Sequence, residues 1–299
     1  MSLIIRPAQP GDRADVFAFC ARHDGDDYVL RVWDEWLADR QGSLLVATWE
    51  GTPVGLARTV FPVPGEAWLE GMRVDPGHRE KGIATAIFEA QVEEAAGRGV
   101  HVARLMTAWD NLPVHRMCAR LGFRRVLRLR RRFRPLEEGA PPRALRTVTP
   151  AELPLARALL SRQRRSPGFL ALSAGLYSLA GGVWTEWNEG WLREHLARGE
   201  VWTWEQGQPG AIAVVCPHRR RPGVFEVGLL EGPAGACTAL LRALACRPEV
   251  PAGETGTPAQ VRLFLPLEAG RLQTAAATAG YRFLRGWRGE MWVFERQWV

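Results

Sequence analysis

The apolar positions of this chain change period repeatedly, and each change marks an element. "LIIRPA" (3–8) has the look of a short strand, and "RADVFAFCARH" (13–23) has helical apolar spacing. "SLLVATWEG" followed by "TPVGLARTVF" reads as a hairpin with Gly51 and Pro53 at its turn. "AWLEGMRV" (67–74) is a strand, after which Ala84, Ile87, Phe88, Val92 and Ala95 form one face of a helix that Gly97 and Gly99 can end. "VHVARLMT" is a buried strand, "LPVHRMCARL" a short helix and "FRRVLRLRRRF" a last strand. Strands and helices in this order, β-α-α-β-β-β-α-β-α-β, predict a three-layer α/β (α+β) domain with helices flanking a central sheet.

The pattern then starts again. "IIRPAQPGD" (4–12) matches "ALRTVTPAE" (144–152), "EGTPVG" (50–55) answers "QGQPGA" (206–211), and "LEGMRV" (69–74) lies opposite "FEVGLL" (225–230). "LGF" (121–123) lies opposite "AGY" (279–281), so the matches keep the same order in both halves. Between them "RPLEEGAPPRA" (134–144) has linker composition. The expected organisation is therefore two tandem domains, 1–137 and 145–299.

Composition changes this picture little. Hydrophobic content of 46% and charged content of 24% fit a soluble globular protein. A net charge of +7 would suit an acidic ligand, but Lys81 is the only lysine among 39 basic residues, so the excess is a preference for arginine. Five cysteines, scattered and in no CxxC pair, argue for a reducing cytoplasm and against a zinc site or disulfide framework. No metal is expected. The N-terminal apolar stretch is too short for a signal peptide. The uncharged run 166–185 reaches membrane-spanning length, but Pro167 and Gly168, Gly175, Gly181 and Gly182 mark it as a buried or interface segment.

The chemistry gathers where strand 67–74 turns into helix 83–97. "HREKGIA" (78–84) reads Arg-x-x-Gly-x-Ala from Arg79. At a strand-to-helix corner, successive backbone N–H groups and the helix N-terminus favour an anion, and Gly82 and Ala84 keep side chains out of its way. Alone, the spacing also fits an ordinary connection.

Its surroundings are more specific. "LEGMRVDPGHREKGIA" with the downstream Asn111, Gly122 and Phe123 resembles motif A of the GNAT superfamily of N-acetyltransferases, over residues 3 to 135. The resemblance implies two tandem GNAT folds with mixed sheets, the second degenerate. It implies acetyl-CoA as co-substrate, lying against Met72, Arg73 and Val74, with its pyrophosphate on Arg79, Glu80, Lys81, Gly82, Ile83 and Ala84. Asn111 would contact the pantetheine arm. A bulge in the 67–74 strand would free an N–H to polarise the thioester carbonyl. "DDYVLRVWDEWLADRQGSLLVATWEGTPVGLARTVF" also resembles the histidine N-acetyltransferase group.

Acetyl transfer to an amine needs a base, and Glu70, set in an apolar strand, is the expected one, with burial suiting it to accept an ammonium proton. As structure alone it would pair with an arginine. Many family members have a tyrosine where this chain has Cys118, which could touch the coenzyme sulfur or simply pack. The acidic and aromatic stretch 23–39, with Asp24, Asp26, Asp27, Tyr28, Trp33 and Trp36, suits a small cationic amine as acceptor, Asp27, Tyr28 and Trp33 being its expected contacts. In the second half "EGPAGAC" (231–237) lacks the basic pair, and Asn111 maps to Ala269. "RRVLRLRRRFR" (124–134), with seven arginines, reads as a structural strand or interdomain face before it reads as a nucleic-acid strip. The leading expectation is a cytoplasmic N-acetyltransferase for a small amine such as an amino acid. The alternatives are a protein or peptide N-acetyltransferase and a non-catalytic acyl-CoA or nucleic-acid binder.

Overall fold

The computed structural model describes residues 2–23, 27–161, 167–179, 181–206, 208–218, 221–246, 259–283 and 289–298. Asp24, Asp26 and Gly207 lie outside the described residues. The chain divides into two compact units, Met1–Arg125 with Phe294–Val299, and Val126–Val293.

The first unit runs β1 (Leu3–Pro7), α1 (Arg13–His23), α2 (Val29–Ala38), β2 (Ser43–Trp49), β3 (Thr52–Val60), β4 (Glu66–Val74), α3 (Ile83–Gly97), β5 (Val102–Ala108) and α4 (Leu112–Arg120). Its strands lie in chain order, antiparallel from β1 to β4, while β4 and β5 are parallel. The sheet alternation decides the layers. Val46 and Leu56 pack with Val16, Phe19 and Trp33 of α1 and α2. Their neighbours Ala47 and Ala57 pack on the opposite face with Ile83 and Ile87 of α3. The β2–β3 turn is made by Glu50 (φ 50°) and Gly51 (φ 87°), a two-residue turn of the kind that suits strand twist; Pro53 sits inside β3, paired with Thr48.

The second unit runs from β6 (Arg124–Pro135) through β7 (Leu145–Thr147), α5 (Leu153–Ser161), α6 (Phe169–Leu172), β8 (Leu176–Leu179), β9 (Val183–Glu186) and α7 (Glu189–Ala197). It continues with β10 (Val201–Gln206), β11 (Gln208–Pro217), β12 (Val224–Glu231), α8 (Ala234–Leu244), β13 (Gln260–Pro266), α9 (Gly270–Thr278) and β14 (Glu290–Gln297). Its strand order is β6-β13-β12-β11-β10-β7, with β12 and β13 parallel. The stretch 167–185 is α6 and the hairpin β8–β9, and no helix of the described residues is long and apolar enough to cross a membrane.

Strand β6 departs from the sequence expectation. Its periodicity marks a strand, but its partner is β13, in register from Leu129↔Pro266 to Pro135↔Gln260. The boundary between the units therefore falls at residue 125, ahead of the linker composition around 138. The first unit is completed instead by the last residues of β14. Trp298 N–H donates to His101 O (2.9 Å), Arg296 to Leu121 O (2.9 Å), and Glu295 reaches Arg104 on β5. Arg104 is 1% exposed and donates to Glu66 (2.5 Å) as well as to Glu295 (2.8 Å), a buried ion triad.

Candidate functional site

The registered pairing of β4 with β5 covers only Glu66↔Val102, Ala67↔Ala103 and Trp68↔Arg104, although both strands run on for several residues. Beyond Trp68 the β5-facing side of β4 has no strand partner among the described residues, so alternate backbone groups there face an opening. On its other side β4 is bulged. Arg58↔Glu70 and Leu56↔Arg73 are cross-strand pairs, so one residue of β3 opposes Gly71 and Met72 together. Gly71 has φ +71°, and a Cβ there would stand 2.6 Å from Trp36 Cη2, so both backbone and packing require glycine. The bulge expected in this strand is present, centred on Gly71.

Past Val74 the chain makes a short turn and enters α3. Asp75 accepts the Gly77 N–H (3.2 Å) and pairs with His78 (3.1 Å) and Arg22 (3.0 Å). Burial opposes its charge, but Arg22, the Gly77 N–H and His78 together hold its carboxyl below the usual range. Glu80 (φ 64°) and Gly82 (φ 77°) both turn the backbone left-handed. Arg79, Glu80, Lys81 and Gly82 are exposed, and a Cβ on Gly82 would meet nothing within 4 Å. The α3 N-terminus has no side-chain cap at Gly82, and Lys81 Nζ stands 5.1 Å over the Trp49 ring. Ile83 is buried against Met72 and Val74, which ties the corner to the open strand. An accessible helix N-terminus with two cations beside it, no cap and no side chain in the way fits a phosphate group.

On the α2 face of the sheet the expected acceptor residues come together, with different partners from those expected. Asp27 is buried; its carboxylate accepts twice from Arg73 (2.6 and 3.2 Å) and once from the Val29 N–H at the start of α2 (3.1 Å). Burial would lower Arg73's pKa, but Asp27 and Tyr28 outweigh it and hold the guanidinium above its ordinary value. Arg73 also stacks on Tyr28 (5.3 Å), and Tyr28 meets Trp36 edge-on at 5.8 Å. Arg58 lies over Trp36 (5.2 Å), pairs with Asp39, and places Nη1 3.8 Å from Glu70 Oε1. Trp33 and Trp36 are both buried in the same core (1% and 2% exposed), and Trp36 is the one whose ring lies against Gly71 of the bulge.

Residues 13–123 match the family model for the acetyltransferase (GNAT) family. This segment is a GNAT acetyltransferase domain. The solved structures agree in fold over the whole chain. A GCN5-related N-acetyltransferase from Sphaerobacter thermophilus is 16% identical with a TM-score of 0.61, covering 99% of this chain and 95% of its own. A candidate acetyltransferase from Thermoplasma acidophilum is 13% identical with a TM-score of 0.60, covering 99% and 100%. No curated protein matches the sequence. Over residues 13–123 the chain is thus an acetyltransferase of the GNAT kind, and the structure neighbours show the fold of the rest.

Two further residues of the acetyltransferase domain follow β5. Asn111 caps α4, accepting from the Val114 N–H (3.5 Å) and donating to Thr107 Oγ1 (2.9 Å), so its amide is oriented by the fold. Cys118 is fully buried, and burial pushes its thiol up to about 12. It is therefore a neutral packing group at neutral pH. Cys118→Ser is expected to change turnover only a few-fold at most, and the folded protein should resist alkylation at Cys118. Arg58 and Gly71 carry most of the geometry around Glu70, yet sequence reasoning did not single them out. The available signal was a glycine and an arginine inside otherwise apolar strands.

The second unit shows a similar strand pair with its opening filled. β12 and β13 pair only from Val224↔Gln260 to Val227↔Leu263, and β12 is bulged at Gly228. A Cβ at Gly228 would lie 1.9 Å from Ser178 O, because β8 packs directly on it. At the β12–α8 corner Arg271 donates to Gly232 O (3.1 Å) and pairs with Glu231 (3.7 Å), whose carboxylate also accepts the Leu170 N–H (3.3 Å). A carboxylate held at this place repels phosphate.

Proposed function

We propose that the acetyltransferase domain moves an acetyl group from acetyl-CoA to the amine of a small molecule by direct attack. The observation that carries this reading is the opening between β4 and β5, bordered by the Gly71 bulge and leading to the uncapped corner at Gly82. In this reading the pyrophosphate rests on Arg79 to Ala84, the pantetheine arm runs along Met72 to Val74, and Asn111 offers it a second amide N–H. Strand groups at the bulge polarise the thioester carbonyl. Glu70 takes the ammonium proton, the amine nitrogen bonds the carbonyl carbon, and the C–S bond breaks. The departing thiolate takes its proton from water, which regains one from the amine nitrogen as the amide forms, since Cys118 is sealed in the core.

Tyr28, Trp36 and Glu70 form the acceptor wall, with Asp27 acting through Arg73 to position it. That wall suits a small cationic or zwitterionic amine, and the likeness of 26–61 to the histidine N-acetyltransferase group makes histidine the most specific acceptor. The second unit is read as a degenerate repeat without a coenzyme site, supported by its similar bulge and splay and by the filled corner. A thiol-release assay with acetyl-CoA against free amino acids, polyamines and peptides tests the acceptor. A best acceptor that is an acidic metabolite or a long peptide sinks the histidine reading.

Gly82→Glu is expected to abolish coenzyme A binding in calorimetry, because the new carboxylate would stand in the phosphate's place at a left-handed residue. Gly82→Asn, which tolerates that backbone, should bind. Normal binding by Gly82→Glu, or two coenzymes per chain, would overturn the one-site reading.

A further inference from the structure

The second unit carries a knot of polar side chains that acetyl transfer does not use. His195, near the end of α7, and Cys216, on β11, are both buried. Glu200, in the turn from α7 to β10, is tied to each of them through its backbone. Its N–H donates to His195 O (2.9 Å), and its carbonyl accepts the N–H of Val215 beside Cys216 (2.8 Å). The three side chains meet at one point. Glu200 Oε2 lies 2.6 Å from His195 Nδ1 and 3.5 Å from Cys216 Sγ, and Sγ lies 3.8 Å from the same Nδ1. The far side of the imidazole is held as well. Tyr177 OH stands 3.1 Å from Nε2, and Trp187 and Trp191 flank the ring with their planes at 3° and 24° to it.

Two kinds of chemistry use a thiol, an imidazole and a carboxylate together. A nucleophilic relay needs the thiol on one ring nitrogen and the carboxylate on the other, so that the carboxylate orients the base. Here both crowd Nδ1, and Tyr177 occupies Nε2, so no relay is built. A metal ion needs the opposite: donors turned to one point, with the second imidazole nitrogen hydrogen-bonded from behind. Around a tetrahedral zinc, bond lengths near 2.0–2.3 Å set the donor atoms roughly 3.3–3.6 Å apart. The two separations from Sγ already come close to that. The Glu200–His195 contact must open by less than about 1 Å, and Glu200, its side chain 15% exposed, is the least buried of the three.

The first unit fills the matching place with a cation of its own. In the repeat reading Cys216, paired across the strands with Glu226, stands where Arg58 is paired with Glu70. Asp39, just after α2, gives its carboxylate to the Arg58 guanidinium. Glu200, just after α7, meets the thiol that has replaced it.

We infer that His195, Glu200 and Cys216 form a metal site for a divalent cation of the zinc type, the fourth position being left to water. Thiolate, imidazole and carboxylate together suit zinc and its spectroscopic substitute cobalt(II), whereas calcium and magnesium take oxygen donors. Cysteine spacing carries no sign of the site, because a helix, a turn and a strand each supply one donor.

The test titrates cobalt(II) into the untagged full chain after treatment with a chelator. One ion per chain is expected, with a thiolate-to-cobalt charge-transfer band and the intense visible bands of a tetrahedral site. Tyr177→Phe keeps the ring but leaves Nε2 without its hydroxyl, and should weaken binding about 10–100-fold. Cys216→Ser should weaken it further and abolish the charge-transfer band. Zinc should raise the Tm of the parent and not that of Cys216→Ser. If Cys216→Ser does not fold, Glu200→Gln, at the partly exposed ligand, carries the affinity and Tm readouts. A parent that binds no cobalt overturns the site and leaves a hydrogen-bonded core cluster. A charge-transfer band that persists in Cys216→Ser, or affinity unchanged in Glu200→Gln, puts the metal elsewhere and overturns it too.

Discussion

Glu70→Gln should leave coenzyme A affinity unchanged and lower kcat by on the order of 10²–10⁴-fold, the usual contribution of a positioned general base. The expectation rests on placement. Glu70 is the last residue of β4 before the bulge, on the face shared with Tyr28, Trp36 and Arg73, next to the stretch where β4 loses β5 as a partner. The amide keeps the shape and can still meet Arg58 but accepts no proton. The deficit should therefore shrink at high pH, where the acceptor amine is neutral without help. A residue that served only as Arg58's neighbour would behave differently: turnover at neutral pH would stay near the parent's and Tm would fall. Steady-state rates from neutral to alkaline pH, with Tm measured alongside, separate the two.

Glu295→Ala should cost about 3–5 kcal/mol of stability, the penalty for removing one partner of a buried ion group. Arg104 is 1% exposed between Glu66 and Glu295, and losing the latter leaves a buried guanidinium short of one carboxylate. Glu295 also accepts from Gln297 (2.8 Å), so the variant loosens the strand end as well. Chemical denaturation should show the loss, and replacing Arg104, Glu66 and Glu295 together with apolar residues of similar volume should recover much of it. A loss below about 1 kcal/mol would mean that water reaches Arg104 and that the triad behaves as a surface pair. The same reasoning bears on a fragment of residues 1–137. It omits Glu295, Arg296 and Trp298, which the first unit uses, and is expected to be unstable without them.

Local features of the fold were legible in the sequence because they depend on local chemistry. Alternation marked β2, β3, β4 and β5, and the small residues at 82 and 84 marked the strand-to-helix corner. What could not be read was which strand pairs with which. Seven arginines and alternating Leu127, Leu129 and Phe133 make β6 a strand, but period 2 is silent about its partner, which lies some 130 residues later in β13. The acceptor side failed for a similar reason. A carboxylate at 27 looks available for an ammonium until Arg73, 46 positions away, folds onto it. Trp33 and Trp36 are three residues apart on one helix, and only the position of Gly71 shows which ring borders the bulge.

The return of residues 294–298 to β5 has a consequence for synthesis. Chains emerge N-terminus first, and domains ordinarily fold as they appear. Here β5 would hold an exposed edge through the translation of more than half the protein, its buried arginine with one of two counterions, until Glu295 leaves the ribosome. A stalled or prematurely terminated chain would present that edge as a template for pairing with other strands. Truncated products of this gene should therefore reach the aggregate fraction of the cell, not its pool of active enzyme.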